Sequence, residues 1–398
     1  RNYELGRYVE QDPQKSEEYD EKVLSAVDDF KLEIEELVLF QFRKFDKVKI
    51  EFNQNVTVLI GDNGSGKSTV LDAISKSLIW LPSNIINENT NCSLPPESDI
   101  KVGESYTYID CQYSIKNKQI FQHIFSKAKK GQKSPVESEH EQIKLLGDIY
   151  RFANEKKEKF NLPIVAYYSI ERSDEVKNRD FKTADSKADE LVWDKFDGYK
   201  ESLKNPQNFA NFLSWFIRFD KIKSQSKVPL SQLSLLNADL DEIELEIKKS
   251  DKSLLDYLEK KKSQKQEAII NIRNELLGNQ SIKCAEILEK VVDAISTFIP
   301  EIKNISIVHT TNAVDMLINK SGVEISATQL SQGEKSLMAL VGDLARRLTM
   351  LNPSRENPFD GNGIVLIDEI DLHLHPSWQQ TVVQKLKNTF WKRKIKLK

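Results

Sequence analysis

The early part of the chain alternates apolar and polar side chains. Glu35-Glu36-Leu37-Val38-Leu39-Phe40, Val48-Lys49-Ile50-Glu51-Phe52 and Val56-Thr57-Val58-Leu59-Ile60 carry the period of two expected of strands. The third run leads into a glycine-rich stretch, Gly61 to Ser68. After it Val70, Leu71, Ile74, Leu78 and Ile79 recur at helical intervals. Residues 82–104, rich in Asn, Pro and Ser, predict a loop. Residues 106–115 and 119–125 predict a hairpin turning at Lys116-Asn117-Lys118, and the polar stretch 126–142 predicts a mobile loop. Leu162-Pro163-Ile164-Val165-Ala166-Tyr167-Tyr168 reads as a buried strand, followed by polar Glu171-Arg172-Ser173.

Between about 200 and 300 the period becomes helical. Phe209, Phe212, Leu213, Phe216 and Ile217 form one apolar stripe, and residues 230–278 interleave Leu and Ile with Glu and Lys, as in Asp241-Glu242-Ile243-Glu244-Leu245-Glu246. Long, partly exposed helices or a short antiparallel coiled pair fit this pattern; it is too short for a long coiled-coil arm. Strands return at 302–308 and 315–318, ahead of Lys320-Ser321-Gly322. A helix then runs through Leu340, Leu344 and Leu348, and Gly363-Ile364-Val365-Leu366-Ile367-Asp368-Glu369 reads as a buried strand ending in two acids. Residues 1–30 are polar and acidic, with Tyr8, Tyr19, Val23 and Leu24 at helical spacing: the end of an upstream helical region, or a solvated tail.

This order predicts an α/β protein, its mixed sheet split by an inserted α-helical region. The expected divisions are a helical end at 1–30, a lobe with the glycine-rich loop at 31–175, a helical insertion at 176–300 and a second lobe at 301–398.

Composition adds limits. A chain of 398 residues, 39% hydrophobic and 30% charged, describes a soluble protein with room for two or three domains. The net charge of -3 gives no global argument for nucleic-acid binding, though a local basic face is compatible with it. Cys92, Cys111 and Cys284 lack metal-ligand spacing, and scattered thiols point to a reducing cytoplasm. No apolar run approaches the ~20 residues of a membrane span. The chain opens at Arg1, so inspection does not exclude a targeting peptide.

Gly61-Asp62-Asn63-Gly64-Ser65-Gly66-Lys67-Ser68 fits G-x-x-x-x-G-K-[ST], the phosphate-cradling loop of P-loop NTPases. Glycines let backbone N–H groups turn inward where a Cβ would block the phosphate. Lys67 would reach the β- and γ-phosphates of ATP, Ser68 would place its hydroxyl on Mg²⁺, Thr69 would complete the nucleotide-contacting set, and the helix N-terminus would face the anion. An ordinary glycine turn before a helix is the plain alternative. Asp368 and Glu369 follow four apolar residues, the Walker B form. Asp368 would hold Mg²⁺ through water and Glu369 would polarise the attacking water; the alternative is an acid pair favoured by a helix N-terminus.

In Leu330-Ser331-Gln332-Gly333-Glu334, Ser331 fits an N-cap with Glu334 completing a capping box. That role is compatible with sensing a γ-phosphate. His373 and His375 form an H-x-H pair, but no third metal ligand stands at a defined spacing, so they are expected to line the nucleotide or an interface. Arg43, beside Lys44 between two predicted strands, would touch phosphate or adenine, or remain a solvated hairpin charge. Tyr167, Tyr168 and Arg172 would link the helical insertion to Mg²⁺, or the tyrosines would simply pack.

Leu330-Ser331-Gln332-Gly333-Glu334 resembles the signature of ABC-type ATPases, whose Ser and Gly contact an ATP held by another subunit or lobe. Together with Ile367-Asp368-Glu369-Ile370-Asp371-Leu372-His373-Leu374-His375-Pro376-Ser377-Trp378-Gln379, it resembles the ABC-type ATPases related to SMC, RecF and OLD proteins, over about residues 33–385. Ala166-Tyr167-Tyr168, Phe212-Leu213-Ser214-Trp215-Phe216 and the opening Tyr3-Glu4-Leu5-Gly6-Arg7-Tyr8-Val9-Glu10-Gln11-Asp12 are similar to the PtuA-type ATPases of Septu and retron anti-phage systems. That resemblance implies an ABC-type head. ATP and Mg²⁺ would be held where Ser331 and Gly333 of a second copy close the site, and Asp371 would sit in a loop crossing the seam. It also implies a homodimer or higher oligomer that restrains a PtuB-like HNH nuclease. In retrons a reverse transcriptase with its DNA–RNA product would join them.

The family continues to a strand and a switch His. This sequence ends in basic Trp391-Lys392-Arg393-Lys394-Ile395-Lys396-Leu397-Lys398 instead, which leaves ATP binding expected and hydrolysis open. A RecF- or OLD-like DNA-repair ATPase and a nucleotide-holding scaffold are the rival readings. A transporter subunit fits poorly.

Overall fold

The computed structural model describes residues 13–27, 30–52, 56–115, 119–157, 160–170, 194–203, 208–224, 239–240, 243, 247, 258–267, 280–309 and 314–390. In chain order its helices are α1 (Pro13–Val27), α2 (Lys67–Leu78), α3 (Trp80–Ile86), α4 (Glu141–Lys156), α5 (Phe209–Ser224), α6 (Gln280–Phe298), α7 (Gln332–Leu351), α8 (Pro376–Gln379) and α9 (Val382–Phe390). The strands are β1 (Glu33–Phe42), β2 (Phe45–Glu51), β3 (Tyr106–Ile115), β4 (Gln119–Ala128), β5 (Ile164–Tyr168), β6 (Ile302–His309), β7 (Val314–Lys320), β8 (Val323–Ser326) and β9 (Gly363–Ile367). No helix among the described residues is long and apolar enough to cross a membrane.

The chain forms two compact units. One takes its residues from 1–175, 194–209 and 331–398, the other from 176–193 and 210–330. In the first, antiparallel β2-β1-β3-β4 form one sheet and parallel β5-β9 another. Leu37 and Leu39 of β1, Ile109 and Tyr113 of β3, and Phe121 and Phe125 of β4 are buried, and their alternation assigns one face of the sheet to the core. α3 and α4 pack on each other, and α4 packs on β4. α2 packs against β3, β5 and β9, so one helix touches both sheets. In the second unit, β6-β7-β8 form an antiparallel sheet, and α6 packs on β6.

The α/β class read from the pattern is the class observed. Three local expectations need correction. Residues 56–60 form no strand: Val58 is 63% exposed and Ile60 91%. Alternation supplies a face, but a strand also needs a ladder partner, and no described strand offers one here. Residues 82–86, expected to open the loop at 82–104, belong instead to α3 (Trp80–Ile86), because Pro82 lies in the first turn, where its missing N–H costs nothing. The predicted mobile loop at 126–142 is fastened. β4 continues to Ala128, Ser126 Oγ donates to Ser134 Oγ at 2.7 Å, Ile124 pairs Glu139, and α4 begins at Glu141. Most of the coiled pair expected at 230–278, as well as Arg172 and the tail from Trp391, lies outside the described residues.

Candidate functional site

The glycine-rich loop turns on Gly64 and Gly66, both left-handed at φ 76° and 105°. A Cβ on Gly66 would stand 2.4 Å from Phe45 Cζ, so only glycine lets the loop lie against the β1–β2 hairpin. Gly66 is also the N-cap of α2, and no side chain caps that end. The first-turn N–H groups therefore keep their donors for an anion. Ser65 N–H closes the turn on Asp62 O at 3.0 Å. Lys67 Nζ donates to Gly61 O at 2.6 Å and to Asp62 O at 3.1 Å, and Lys44 Nζ donates to Gly64 O. Two ammonium groups and a helix N-terminus thus converge on one loop. Asn63 and Ser68 are exposed and Thr69 is half-buried.

Arg43, in the β1–β2 turn, is not a solvated hairpin charge. Its Nε donates to Asp99 Oδ1 at 2.8 Å and its Nη2 pairs with Asp72 of α2, while Lys76 Nζ reaches Asp99 Oδ2 at 2.6 Å. The guanidinium ties the turn to the flank of α2, and any contact with phosphate or adenine would compete with both carboxylates.

β9 pairs β5 in parallel register, Tyr168 opposite Ile367, and Asp368 N–H continues the ladder to Tyr168 O at 2.9 Å. Asp368 is consequently buried at the strand end, while Glu369 takes a left-handed φ of 40°. α2, which begins at the glycine-rich loop, packs on β5 and on β9, the strand that leads into these acids. A Ser hydroxyl and one carboxylate make a donor set suited to Mg²⁺, which takes few protein ligands and completes its shell with phosphate and water.

Ser331 caps α7. Its Oγ accepts from Glu334 N–H at 3.3 Å, and Glu334 Oε2 accepts from Ser331 N–H at 2.9 Å and Ser331 Oγ at 2.8 Å. A Cβ on Gly333 would lie 2.5 Å from His373 O, so glycine lets the start of α7 close on the turn at 371–374. Asp371 is exposed, and its carbonyl accepts from Leu374 N–H and from Gln379 Nε2, both at 3.2 Å. His375 caps α8, its Nδ1 2.8 Å from Ser377 Oγ.

A family model described as an AAA ATPase domain matches residues 33–394. The chain belongs to the AAA ATPase domain family. Its ATPase relatives include the Retron Vc95 probable ATPase of Vibrio cholerae serotype O1 biovar El Tor, 38% identical over 98% of this chain and 74% of that protein. The Retron Ec83 probable ATPase of Escherichia coli is 32% identical over 96% of this chain and 71% of that one. The Septu protein PtuA of Bacillus mycoides (strain KBAB4) is 48% identical over a shorter stretch of 61 residues, 15% of this chain and 8% of that protein. The resemblance to retron and Septu ATPases drawn from the motifs is thereby established.

Within this ATPase domain the motifs did not reveal one buried cluster. Asp343 of α7 accepts from Arg347 Nε at 2.6 Å, Arg346 Nη2 at 2.7 Å and Tyr168 Oη at 2.9 Å. Arg347 Nη1 also donates to Gly198 O at 2.7 Å. Burial alone would raise the Asp343 carboxyl, but Arg347 and Arg346 overcome it and hold it down at about 2. Tyr168 therefore packs and also ties β5, whose register partner β9 ends in the acids, to α7. The signal in the sequence was Asp343 with Arg346 and Arg347 at i+3 and i+4, a spacing that places all three on one helix face.

Proposed function

We propose that this chain is an ABC-type ATPase head that binds ATP–Mg²⁺, closes on it with a second copy and thereby controls a partner nuclease in retron anti-phage defence. The observation that carries this reading is the uncapped N-terminus of α2 behind left-handed Gly64 and Gly66, with Lys67 Nζ beside it. Backbone N–H groups from Gly61 to Thr69 would cradle the phosphates and Lys67 would neutralise the β and γ oxygens. Ser68 and Asp368 would hold Mg²⁺, which when bound spreads the charge developing on the transferred phosphate. Glu369 would orient and deprotonate the attacking water. Ser331 and Gly333 of the second copy would meet the γ-phosphate at the start of α7, with Asp371 at the seam. The Ser331 hydroxyl would turn from Glu334 to the phosphate while its N–H keeps the cap.

The retron names of the relatives support the defence setting. The likeness to PtuA supports an HNH nuclease as partner, with a reverse transcriptase and its DNA–RNA product as further company in a retron. Lys67→Ala is expected to abolish ATP binding measured by titration calorimetry. Unchanged affinity in a folded Lys67→Ala chain would remove the site assignment.

A further inference from the structure

The outer face of the β2-β1-β3-β4 sheet carries a row of side chains with no part in the ATP site. Leu37 and Leu39 point to the core, so Val38 and Phe40 lie on the opposite face. Strand register sets Lys47 opposite Phe40, Phe40 opposite Tyr108, and Tyr108 opposite Ser126. The Phe40 ring stacks on Tyr108 at 5.2 Å and 12°, and on Tyr106 at 5.6 Å and 28°. All three rings are half-buried, whereas Tyr113, on the inner face of the same sheet, is fully enclosed.

Charge is distributed unevenly around these rings. Tyr106 pairs with Ala128, and the chain continues from there into Lys129 and Lys130, with Lys129 N–H bound to Ser105 O at 2.9 Å. Among the described residues, no carboxylate pairs with the ammonium of Lys47, Lys129 or Lys130. Lys49, one row further along β2, is held by Glu36 at 2.8 Å and Glu51 at 3.3 Å. Asp110, two residues from Tyr108 on β3, is held by Gln122 Nε2 at 3.0 and 3.1 Å, and Glu97 Oε1 accepts from Lys130 N–H at 3.2 Å, while the ammonium groups of Lys47, Lys129 and Lys130 have no carboxylate partner among the described residues.

We propose that this face binds single-stranded nucleic acid, with bases stacked on Phe40, Tyr106 and Tyr108 and phosphates at Lys47, Lys129 and Lys130. Stacked rings on an open sheet are reachable only by unpaired bases. Lysines without carboxylate partners on both flanks suit a polyanion, whereas protein interfaces are depleted of lysine. The proposal does not depend on the ATP reading.

The test is fluorescence anisotropy of a labelled oligothymidine about 20 nucleotides long, enough to exceed one site, and of a duplex of the same length, titrated with the full chain. The strand is expected to bind more tightly than the duplex. Tyr106→Ala with Tyr108→Ala is expected to weaken it about tenfold or more, as loss of stacked bases requires. Tyr106→Phe with Tyr108→Phe retains the rings and should retain binding. Lys129→Glu with Lys130→Glu should weaken binding and lower the slope of log affinity against log salt by about 1.4. ATP binding should stay unchanged in all of these variants; melting temperatures should hold in the Tyr→Phe and Lys→Glu pairs and fall in the Tyr→Ala pair, which loses the cross-strand stacking on Phe40. A wild-type chain that ignores the strand, or alanine variants that bind it normally, would overturn the proposal. So would alanine variants that change only the particle mass in light scattering, because the face would then take a second copy or another protein.

Discussion

Asp343 holds two arginines and a tyrosine, and all four side chains are buried. A buried carboxylate held at about 2, below the ordinary 3.8 of an aspartate, contributes stability that is present above pH 3.8 and is lost as pH falls through 2. Removing its charge is costlier than acid titration of exposed groups, because Arg346 and Arg347 would remain buried without compensation. Asp343→Asn is expected to lose about 3–5 kcal/mol in urea denaturation. Tyr168→Phe, which removes one hydrogen bond to a carboxylate that both arginines still hold, should lose less, about 1.5 kcal/mol. Equal losses in the two variants would show that the arginines find other partners. None of this was legible from motif spacing: three charges on one helix face read equally well as a solvated stripe, and only Tyr168, remote in sequence, shows that the face is internal. Ser331 and Glu334 were legible, because a capping box is complete within four residues.

At the scale of elements, α2, β3, β4 and the start of α4 meet in a chain of polar side chains. Tyr113 Oη donates to Ser77 Oγ at 2.7 Å, Ser77 Oγ lies 2.7 Å from His123 Nδ1, and His123 Nε2 lies 2.8 Å from His140 Nδ1. Trp80 of α3 stacks on His140 at 4.0 Å, with Lys144 over its ring. Burial, helped by the neighbouring His140, pushes His123 down from 6.5 to about 3; burial and Lys144 lower His140 as well, against Glu139 and Glu141. The neutral form of His123 therefore stabilises the fold above pH 6.5, and that contribution is lost as pH falls toward 3. The loss should amount to about 2 kcal/mol between pH 6.5 and 5. His123→Gln, which keeps hydrogen-bonding capacity without the charge, should show a flatter stability profile by urea denaturation at the two pH values. A profile as steep as the wild type would assign the acid sensitivity elsewhere. These elements differ in how far local pattern reveals them. β1 and β2 follow from alternation and β9 from its apolar run. Residues 56–60 alternate just as well yet lack a ladder, and β8 is a four-residue strand that only pairing with β7 defines.

At the scale of the whole molecule, the proposed ATP site is completed by a second copy. Family membership, the uncapped α2 and the capped α7 describe what one copy brings to it. The direct measurement is a mixing experiment read as particle mass by light scattering, with Glu369→Gln in both chains to retain ATP. One chain also carries Lys67→Ala. The other carries Ser331→Asp, which keeps an N-capping residue but sets an anion where the γ-phosphate would lie. With Mg²⁺ and ATP, each variant alone is expected to keep its nucleotide-free mass. Their equimolar mixture is expected to dimerise, because it rebuilds one complete site from the intact loop of one chain and the intact Ser331 of the other. A mixture that stays at the nucleotide-free mass, while the Glu369→Gln chain alone dimerises, would contradict the shared site.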